Sequence, residues 1–369
     1  NDSILYGGEY PFIQTGDVKK ANLHLVDYTQ TYNDVGLKQS KLWKKGTLCF
    51  TIAANIADSA ILGMDACFPD SIVGFLPYEN VSDTTYVKYL FDELKLYFQQ
   101  ISKGTTQDNL SLDKICRVKL RVPDYDTQVK VASILSTYDT AIESNNKRIR
   151  LLEQMAENLY KEWFVRFRFP GYEDIEFEEK KPRGWKVGTE DKNNFAPTIF
   201  RYDEFGTIGS FVRGKNITAA QMIEGNIPVI SAGLQPSGYH NEANVFGENL
   251  TISASGANAG YLQYNLNDIW AADCSYYQDD ATIWFVYNTL KYLQSVISNL
   301  QCGAAQPHVY PKNINRLCVL IPTEELIHKY NDSVKPYYDE IKVLNQHNQL
   351  LTQQRDMLLP RLMSGKLEV

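Results

Sequence analysis

The chain has no run of about eighteen consecutive apolar residues, the length a helix needs to cross a bilayer, and no basic-then-apolar leader precedes Asn1. The expectation is a soluble, cytoplasmic protein with no membrane partner. Cysteine is sparse and scattered: Cys49, Cys67, Cys116, Cys274, Cys302 and Cys318 form no Cys-x-x-Cys pair, and no histidine stands at ligand spacing from them. That pattern argues against a zinc finger or a disulfide framework and predicts reduced, mostly buried thiols and no metal site. Phosphate-loop, Gly-x-Ser-x-Gly and His-Glu-x-x-His patterns are missing, as is any Asn/Asp-Pro-Pro-Tyr/Phe run that would orient an amine for methyl transfer. Positive charge is in deficit, with 37 Lys and Arg against 44 Asp and Glu. A net charge of −7 disfavours unselective coating of nucleic acid, which depends on neutralising phosphates.

What the sequence does contain is a repetition. Gly104, Gln107, Ile115, Val118, Leu120, Val122 and Pro123 return as Gly303, Gln306, Ile314, Leu317, Val319, Ile321 and Pro322, at a separation of 199 residues for Gly104 to Gly303, Gln107 to Gln306 and Pro123 to Pro322 alike. Each copy runs into a long heptad segment. At 369 residues the chain exceeds what one core usually accommodates, and 44% hydrophobic residues suffice for more than one. Aromatics make up 12%, including 24 Tyr, which suits an adaptable contact surface.

The first copy begins with strand-like Tyr10 to Ile13, Gly46 to Ile52 and Ser71 to Leu76. One amphipathic helix is predicted over Thr84 to Ser102, and a strand over Ile115 to Val122. The second copy repeats the order with strands at Ile227 to Ile230 and Asn249 to Ser253, a helix at Thr289 to Leu300, and a strand at Ile314 to Ile321. No counterpart of Phe205 to Met222 is found in the first copy, so the chain is expected to begin inside its first domain. The stretch from Arg166 to Pro182, with Pro170-Gly171 and the acidic Glu173 to Glu179, reads as a solvated linker.

In the first heptad segment Val131, Leu135, Tyr138, Ile142, Asn145, Ile149, Leu152, Ala156, Leu159 and Trp163 follow unbroken 4-3 spacing, a coiled-coil seam. The second seam is Tyr330, Val334, Tyr337, Ile341, Leu344, Asn348, Leu351, Arg355, Leu358 and Leu362. Each carries one asparagine. Antiparallel pairing with Asn145 opposite Asn348 sets Ile142 against Leu351, Ile149 against Leu344, Leu152 against Ile341, Leu135 against Leu358 and Ala156 against Tyr337. A buried Asn pair would fix that alignment at some cost in stability, and Pro336 should kink the second helix. The seam from Val131 to Trp163 amounts to a rod of roughly 50 Å at the α-helical rise.

The expected fold class is therefore α+β, with two similar globular domains separated by an antiparallel coiled coil of two long helices and related by a pseudo-two-fold repeat. Residues 1–123 form the first domain, 124–166 the first long helix, 167–185 the linker, 186–322 the second domain and 323–369 the second long helix.

Gly104-Thr105-Thr106-Gln107, Val122-Pro123, Gln128, Ile134-Leu135, the run Leu152 to Phe164 and Phe167 to Gly171 resemble the specificity (S) subunit of type I restriction-modification systems. So do Tyr10 to Ile13 with Gly16-Asp17-Val18, Ile252 to Gly260, and the ending Leu359 to Leu367; the likeness extends over essentially the whole chain in matching order. It implies a DNA reader without catalytic activity, whose two target recognition domains each read one half of a bipartite, asymmetric duplex target while helix length sets the gap. It also implies that the helices dock two modification subunits, which methylate adenine at N6 with S-adenosylmethionine, and that restriction subunits cut DNA with ATP and Mg; this chain itself would bind no cofactor. The absent counterpart of the second copy's opening segment, ahead of Ile4, departs from the family.

Reading bases needs oriented donors and acceptors in the grooves, with cations on phosphates. Candidates in the first domain are Thr15, Lys19, Lys20, Lys38, Lys41, Asn55 and Gln107. In the second they are Arg213, Lys215, Ser231, Gln235, Tyr239, His240, Asn258, Gln306 and His308. Lys38 and Lys41 sit in the stretch Val35 to Ala57, which has no acidic residue, and Arg213 and Lys215 in the similarly acid-free Phe205 to Ile223. Two rival classes are a Mg-dependent nuclease of the PD-ExK type, from Pro69-Asp70 with Glu93-Leu94-Lys95, and a scaffold built on the coiled coil. Neither accounts for the duplication and the Tyr-rich domains together.

Overall fold

The computed structural model describes residues 3–103, 110–180, 195–301 and 307–369. The chain divides into two compact units, one formed by Asn1–Arg148 with Leu344–Val369, the other by Ile149–Val343. The division falls across both long helices, Tyr125–Tyr160 and Glu324–Met363, so each unit is built on its own stretch of both.

In the first unit a four-stranded sheet has the spatial order His24–Leu25, Ser59–Leu62, Leu48–Thr51, Ile72–Phe75. The central strand Leu48–Thr51 is buried along its whole length and pairs antiparallel with both neighbours, Leu48 facing Ile61 and Phe75. A second, two-stranded sheet joins Tyr6–Phe12 to Gln30–Tyr32. Leu48, Ile61, Tyr86, Tyr89 and Leu90 share one core with Val131, Leu135 and Leu362. The helix pair is thus a structural layer of the unit rather than an appendage.

In the second unit the corresponding sheet has the order Val212–Arg213, Cys274–Tyr277, Asn249–Ser253, Leu262–Asn265. Its central strand is again wholly buried and antiparallel to both neighbours, Leu250 facing Tyr264 and Tyr277. Gly238–His240, Ile227–Ile230 and Trp270–Ala271 make a three-stranded sheet. Tyr160, Tyr330, Val334 and Ile341 from the long helices, with Trp163 and Phe164 from the π-helical turn Lys161–Val165 that follows the first, enter the core with Phe285 and Leu290.

The helices pair antiparallel in both units. Asn145 Nδ2 donates to Asn348 Oδ1 at 2.9 Å, and Asn348 Nδ2 to Asn146 Oδ1 at 2.8 Å. Leu358 packs on the core that holds Leu135, and Leu152 on the core that holds Ile341. Tyr330 OH donates to the Ala156 carbonyl at 2.9 Å. The first helix starts where Asp124 accepts from Thr127 N at 2.9 Å, a side-chain cap directly after Pro123. The second begins with Glu324 and Glu325, whose charges suit a helix N-terminus, and continues through Pro336 and Pro360. Among the described residues no helix is long and apolar enough to cross a membrane.

Several sequence expectations need correction. The helix expected over Thr84 to Ser102 is two, Thr84–Glu93 and Lys95–Ser102, and that over Thr289 to Leu300 is Ile283–Tyr292 followed by Gln294–Ser298. Both break at a leucine 199 residues apart, Leu94 (φ −89°, ψ 5°) and Leu293 (φ −92°, ψ 12°), in the bridge region that apolar periodicity does not register. Ile115 to Val122 is not a strand: Leu112–Cys116 is a short helix and the residues from Val118 to Asp124 belong to no helix or strand. In the second unit Pro311–Asn315 is likewise helical, yet Cys318–Ile321 is a strand because Arg201–Glu204 lies beside it as partner. No such partner adjoins 118–122 among the described residues. The segment read as a solvated linker contains the strand Phe177–Glu179, paired with Phe195–Pro197, and Phe169 is buried in the second unit's core. Cys116 and Cys318 are exposed, while Cys49, Cys67 and Cys274 are buried.

Candidate nucleic-acid interface

In the first unit, Phe12 and Tyr32 stack at 4.1 Å and, with Tyr6, Gln14, Thr15 and Gln30, line a cleft of about 570 Å³. Gln14 Nε2 donates to Gln30 Oε1 at 2.8 Å, so amides and aromatic faces share one wall, a combination able to read edges and stack on rings. Thr15 opens the short helix Thr15–Lys20 beside this cleft, and Lys19 and Lys20 are exposed at its end. Lys19 Nζ reaches Asn55 Oδ1 at 3.5 Å, which brings two candidates together. Lys38 ends the helix Asp34–Lys38, and Lys41 Nζ lies 3.8 Å from the centroid of Trp43, itself stacked on Phe68. Lys44 is held by Asp65 at 2.7 Å, and that bond keeps the Asp65 carboxyl below its usual range.

In the second unit the candidates converge more tightly. Arg213 Nη2 bonds to Asp273 Oδ1, and Ser255 Oγ donates to the other oxygen, Oδ2. Ser255 forms a backbone bridge with His308, whose ring lies parallel to Tyr310 at 5.9 Å. Ser253 Oγ and Asn258 Nδ2 both donate to the Ala232 carbonyl, at 3.1 and 3.4 Å, next to Ser231. Lys215 sits with Nζ 5.9 Å from the Trp270 ring, whose Nε1 donates to the Lys215 carbonyl at 2.8 Å. Beneath the cluster Cys274 donates its Sγ to the Ile230 carbonyl, and burial pushes that thiol up to about 12. Gln235 and Tyr239 are exposed and stand apart from this group. Residues Gln107 and Gln306, with their glycine segments, lie outside the described residues.

His240 is a correction. It is 5% exposed, its Nδ1 accepts from Ile223 N at 3.0 Å, and its ring meets Trp270 edge-on. An imidazole committed in this way is part of the core, not of a reading surface.

Sequence reasoning missed the residues that organise these groups. Asp273 and Ser255 carry no local signal for this role, because their partners lie far away in the chain. Also missed was a polar network within the first unit: Asp139 is fully buried, bonded by Tyr89 OH and Arg355 Nη1, and accepts from Asn22 Nδ2 at 2.9 Å. Burial works against the Arg355 charge, but Asp139 and Asp356 outweigh it and raise the guanidinium further. For the nuclease reading, Lys95 is tied to Asp58 at 2.6 Å, and Glu93 ends a helix rather than a strand. Among the described residues no group of three or more His, Cys, Asp or Glu side chains is placed to hold a metal ion.

Two like units, each with a four-stranded sheet around a wholly buried central strand and a stretch of the same two antiparallel helices, define a duplicated α+β protein. The family model for the type I restriction modification DNA specificity domain matches residues 2–154 and 198–353. The chain belongs to that family, whose members recognise DNA rather than catalyse its modification. It is 26% identical over 389 residues to the type I restriction enzyme MjaIX specificity subunit of Methanocaldococcus jannaschii, covering 99% of this chain and 88% of the relative. It is 29% identical over 165 residues to the HindI specificity subunit of Haemophilus influenzae, covering 42% of this chain and 36% of the relative. Among solved structures, the type I restriction-modification S subunit from M. genitalium has the same fold, with a TM-score of 0.54, 17% identity and coverage of 98% of this chain and 91% of that one.

Proposed function

We propose that the two units are separate readers of one bipartite DNA target, with unlike half-sites, and that the long helices both set the distance between the half-sites and dock two modification subunits. The carrying observation is that each unit packs its reading domain on its own portion of an antiparallel helix pair. Two-fold ligands such as duplex DNA suit duplicated proteins. The modification subunits would supply S-adenosylmethionine-dependent methylation of adenine N6, restriction subunits would supply ATP- and Mg-dependent cleavage, and the assembly would act in the cytoplasm. In the first unit Thr15, Lys19, Lys20, Lys38, Lys41 and Asn55 are the proposed contacts. In the second they are Arg213, Lys215, Ser231, Gln235, Tyr239, Asn258 and His308, with Lys and Arg on phosphates or base edges as their geometry allows.

Co-expression with the modification subunits and methylome sequencing tests this. A two-part motif with a fixed gap is expected, lost when this chain is omitted. A continuous motif, or methylation independent of this chain, would refute the proposal.

A further inference from the structure

We propose that Arg213 reads a guanine in the half-site of the second unit and that Asp273 is its positioning residue; this rests on the DNA-reading role proposed above. Arg213 pairs with Ser275 in the edge strand Val212–Arg213, and the next residue is locked by Gly214 N donating to the Cys274 carbonyl at 2.8 Å. A Cβ on Gly214 would lie 2.5 Å from the Ala272 oxygen and 2.6 Å from that of Ala271, so the chain passes here closer than any other residue type permits. The guanidinium is therefore presented from a rigid support.

The side chain is fixed as well. Both oxygens of Asp273 are engaged, Oδ1 by Arg213 and Oδ2 by Ser255. Ser255 is in turn held by the backbone: Gly256 N donates to the Pro307 carbonyl at 3.1 Å, and Val309 N to Ala254 at 3.0 Å. A carboxylate anchored on one side and bonded to a single guanidinium nitrogen on the other restrains where the head of the arginine sits. The Arg213 side chain keeps 40% exposure and makes no other hydrogen bond among the described residues, which leaves it N–H donors for a ligand.

A planar, pre-oriented pair of donors matches guanine O6 and N7, whereas a phosphate needs only charge and tolerates a mobile lysine. Nearby, Asn258 Nδ2 donates to the Ala232 carbonyl and His308 bridges the backbone of Ser255, the residue that holds this carboxylate. In the first unit no strand corresponding to Val212–Arg213 adjoins Ile72–Phe75 among the described residues.

The test uses the assembled complex of this chain with its modification subunits. Its target motif is read by methylome sequencing, and its affinity is measured on duplexes carrying 7-deazaguanine at each guanine of the second half-site in turn. One such substitution, which removes N7 and leaves O6, should weaken wild-type binding about fivefold, the low end of what a bidentate contact is worth. Arg213→Lys, which keeps the charge, should lose that sensitivity and accept other bases at that position alone, with the first half-site unchanged. Asp273→Asn should relax the same position by a smaller factor. The proposal is overturned if Arg213→Lys keeps the wild-type motif and merely changes salt dependence, if no deazaguanine weakens the wild type, or if the second half-site contains no G·C pair. Should the wild-type complex methylate no bipartite motif at all, the underlying DNA-reading role fails instead. The deazaguanine arm needs no variant, so a misfolded mutant leaves the question answerable.

Discussion

Replacing Arg355 with methionine removes the cation that faces Asp139 inside the first unit. The Asp139 side chain is 0% exposed and that of Arg355 17%. Without Arg355 the carboxylate keeps, among the described residues, the Tyr89 hydroxyl and the Asn22 amide as donors. Stripping one partner from a buried pair costs about 3–5 kcal/mol, because the surviving charge has no water to return to. In a unit of this size each kcal/mol moves the melting temperature by roughly 2–4 °C, so Arg355→Met should melt roughly 6–20 °C below wild type. Hydrogen exchange locates the loss: the faster-exchanging amides should fall in Thr84–Glu93 and the 125–148 stretch of the first long helix, not in the second unit. The double variant Asp139→Leu with Arg355→Met should recover part of the stability, since no buried charge remains but the buried Tyr89 hydroxyl loses its acceptor. A drop below about 1 kcal/mol for the single variant would mean the pair behaves as a surface bridge, and the burial argument would be wrong.

Asn145→Leu alone leaves the half-buried Asn348 without its 2.9 Å partner and should cost about 1 kcal/mol in urea unfolding, whereas leucine at both positions should be neutral or stabilising; equal losses in the single and double variants would refute a paired role. His24 Nδ1 meets Glu143 Oε2 at 3.0 Å. The His24 pKa is raised chiefly by its hydrogen bond to Glu143, and that of Glu143, despite burial pushing it up, is lowered by its bonds from His24. The histidine's contribution is full below its unfolded value of 6.5 and fades as pH rises through the folded one, and the glutamate's is full above 4.5 and fades as pH falls through its own. Glu143→Gln should therefore lose roughly 0.2–1 kcal/mol between those two values and progressively less at higher pH, a trend that a flat difference in melting temperature across pH 5 to 9 would contradict. Gly214→Ala, which drives a methyl into two carbonyl oxygens, should cost about 1–3 kcal/mol and degrade recognition of the second half-site alone; unchanged stability would show that the strand has room to move.

The helices, the duplication and the facing of Asn145 with Asn348 were legible because heptad spacing and a constant offset are carried by the residues themselves. Strand Leu48–Thr51 and strand Asn249–Ser253 were legible too, as apolar runs bounded by turns. The helix breaks at Leu94 and Leu293 were not, since one residue in the bridge region leaves apolar periodicity intact. Whether residues after a short helix become a strand depended on a partner far away in sequence, Arg201–Glu204, which no local pattern announces. The same holds for the candidate interface: Arg213 could be singled out as a cation in an acid-free segment, but its orientation depends on Asp273, 60 residues further on.

The repeat also explains why the polar network eluded a search for matching residues. Adding 199 to Tyr89 and Asp139 gives Asn288 and Tyr338, and these two are bonded as well, Asn288 Nδ2 donating to Tyr338 OH at 2.9 Å. Each unit ties its domain helix to a long helix at the same place, but the tyrosine has changed sides. With a tyrosine on the domain helix, the first unit needs a carboxylate opposite and then a cation, Arg355, to neutralise it. With the tyrosine on the long helix, the second unit needs only a neutral amide, and the position equivalent to Arg355 is Ala156, whose side chain is buried in the core. Position and hydrogen bonding are shared while residue types are not. It follows that exchanging all three residues of the first unit together, Tyr89→Asn with Asp139→Tyr and Arg355→Ala, should destabilise less than Arg355→Met alone, because the triple variant leaves no buried charge. A triple variant less stable than the single one would show that the two joints are not interchangeable solutions to one packing problem.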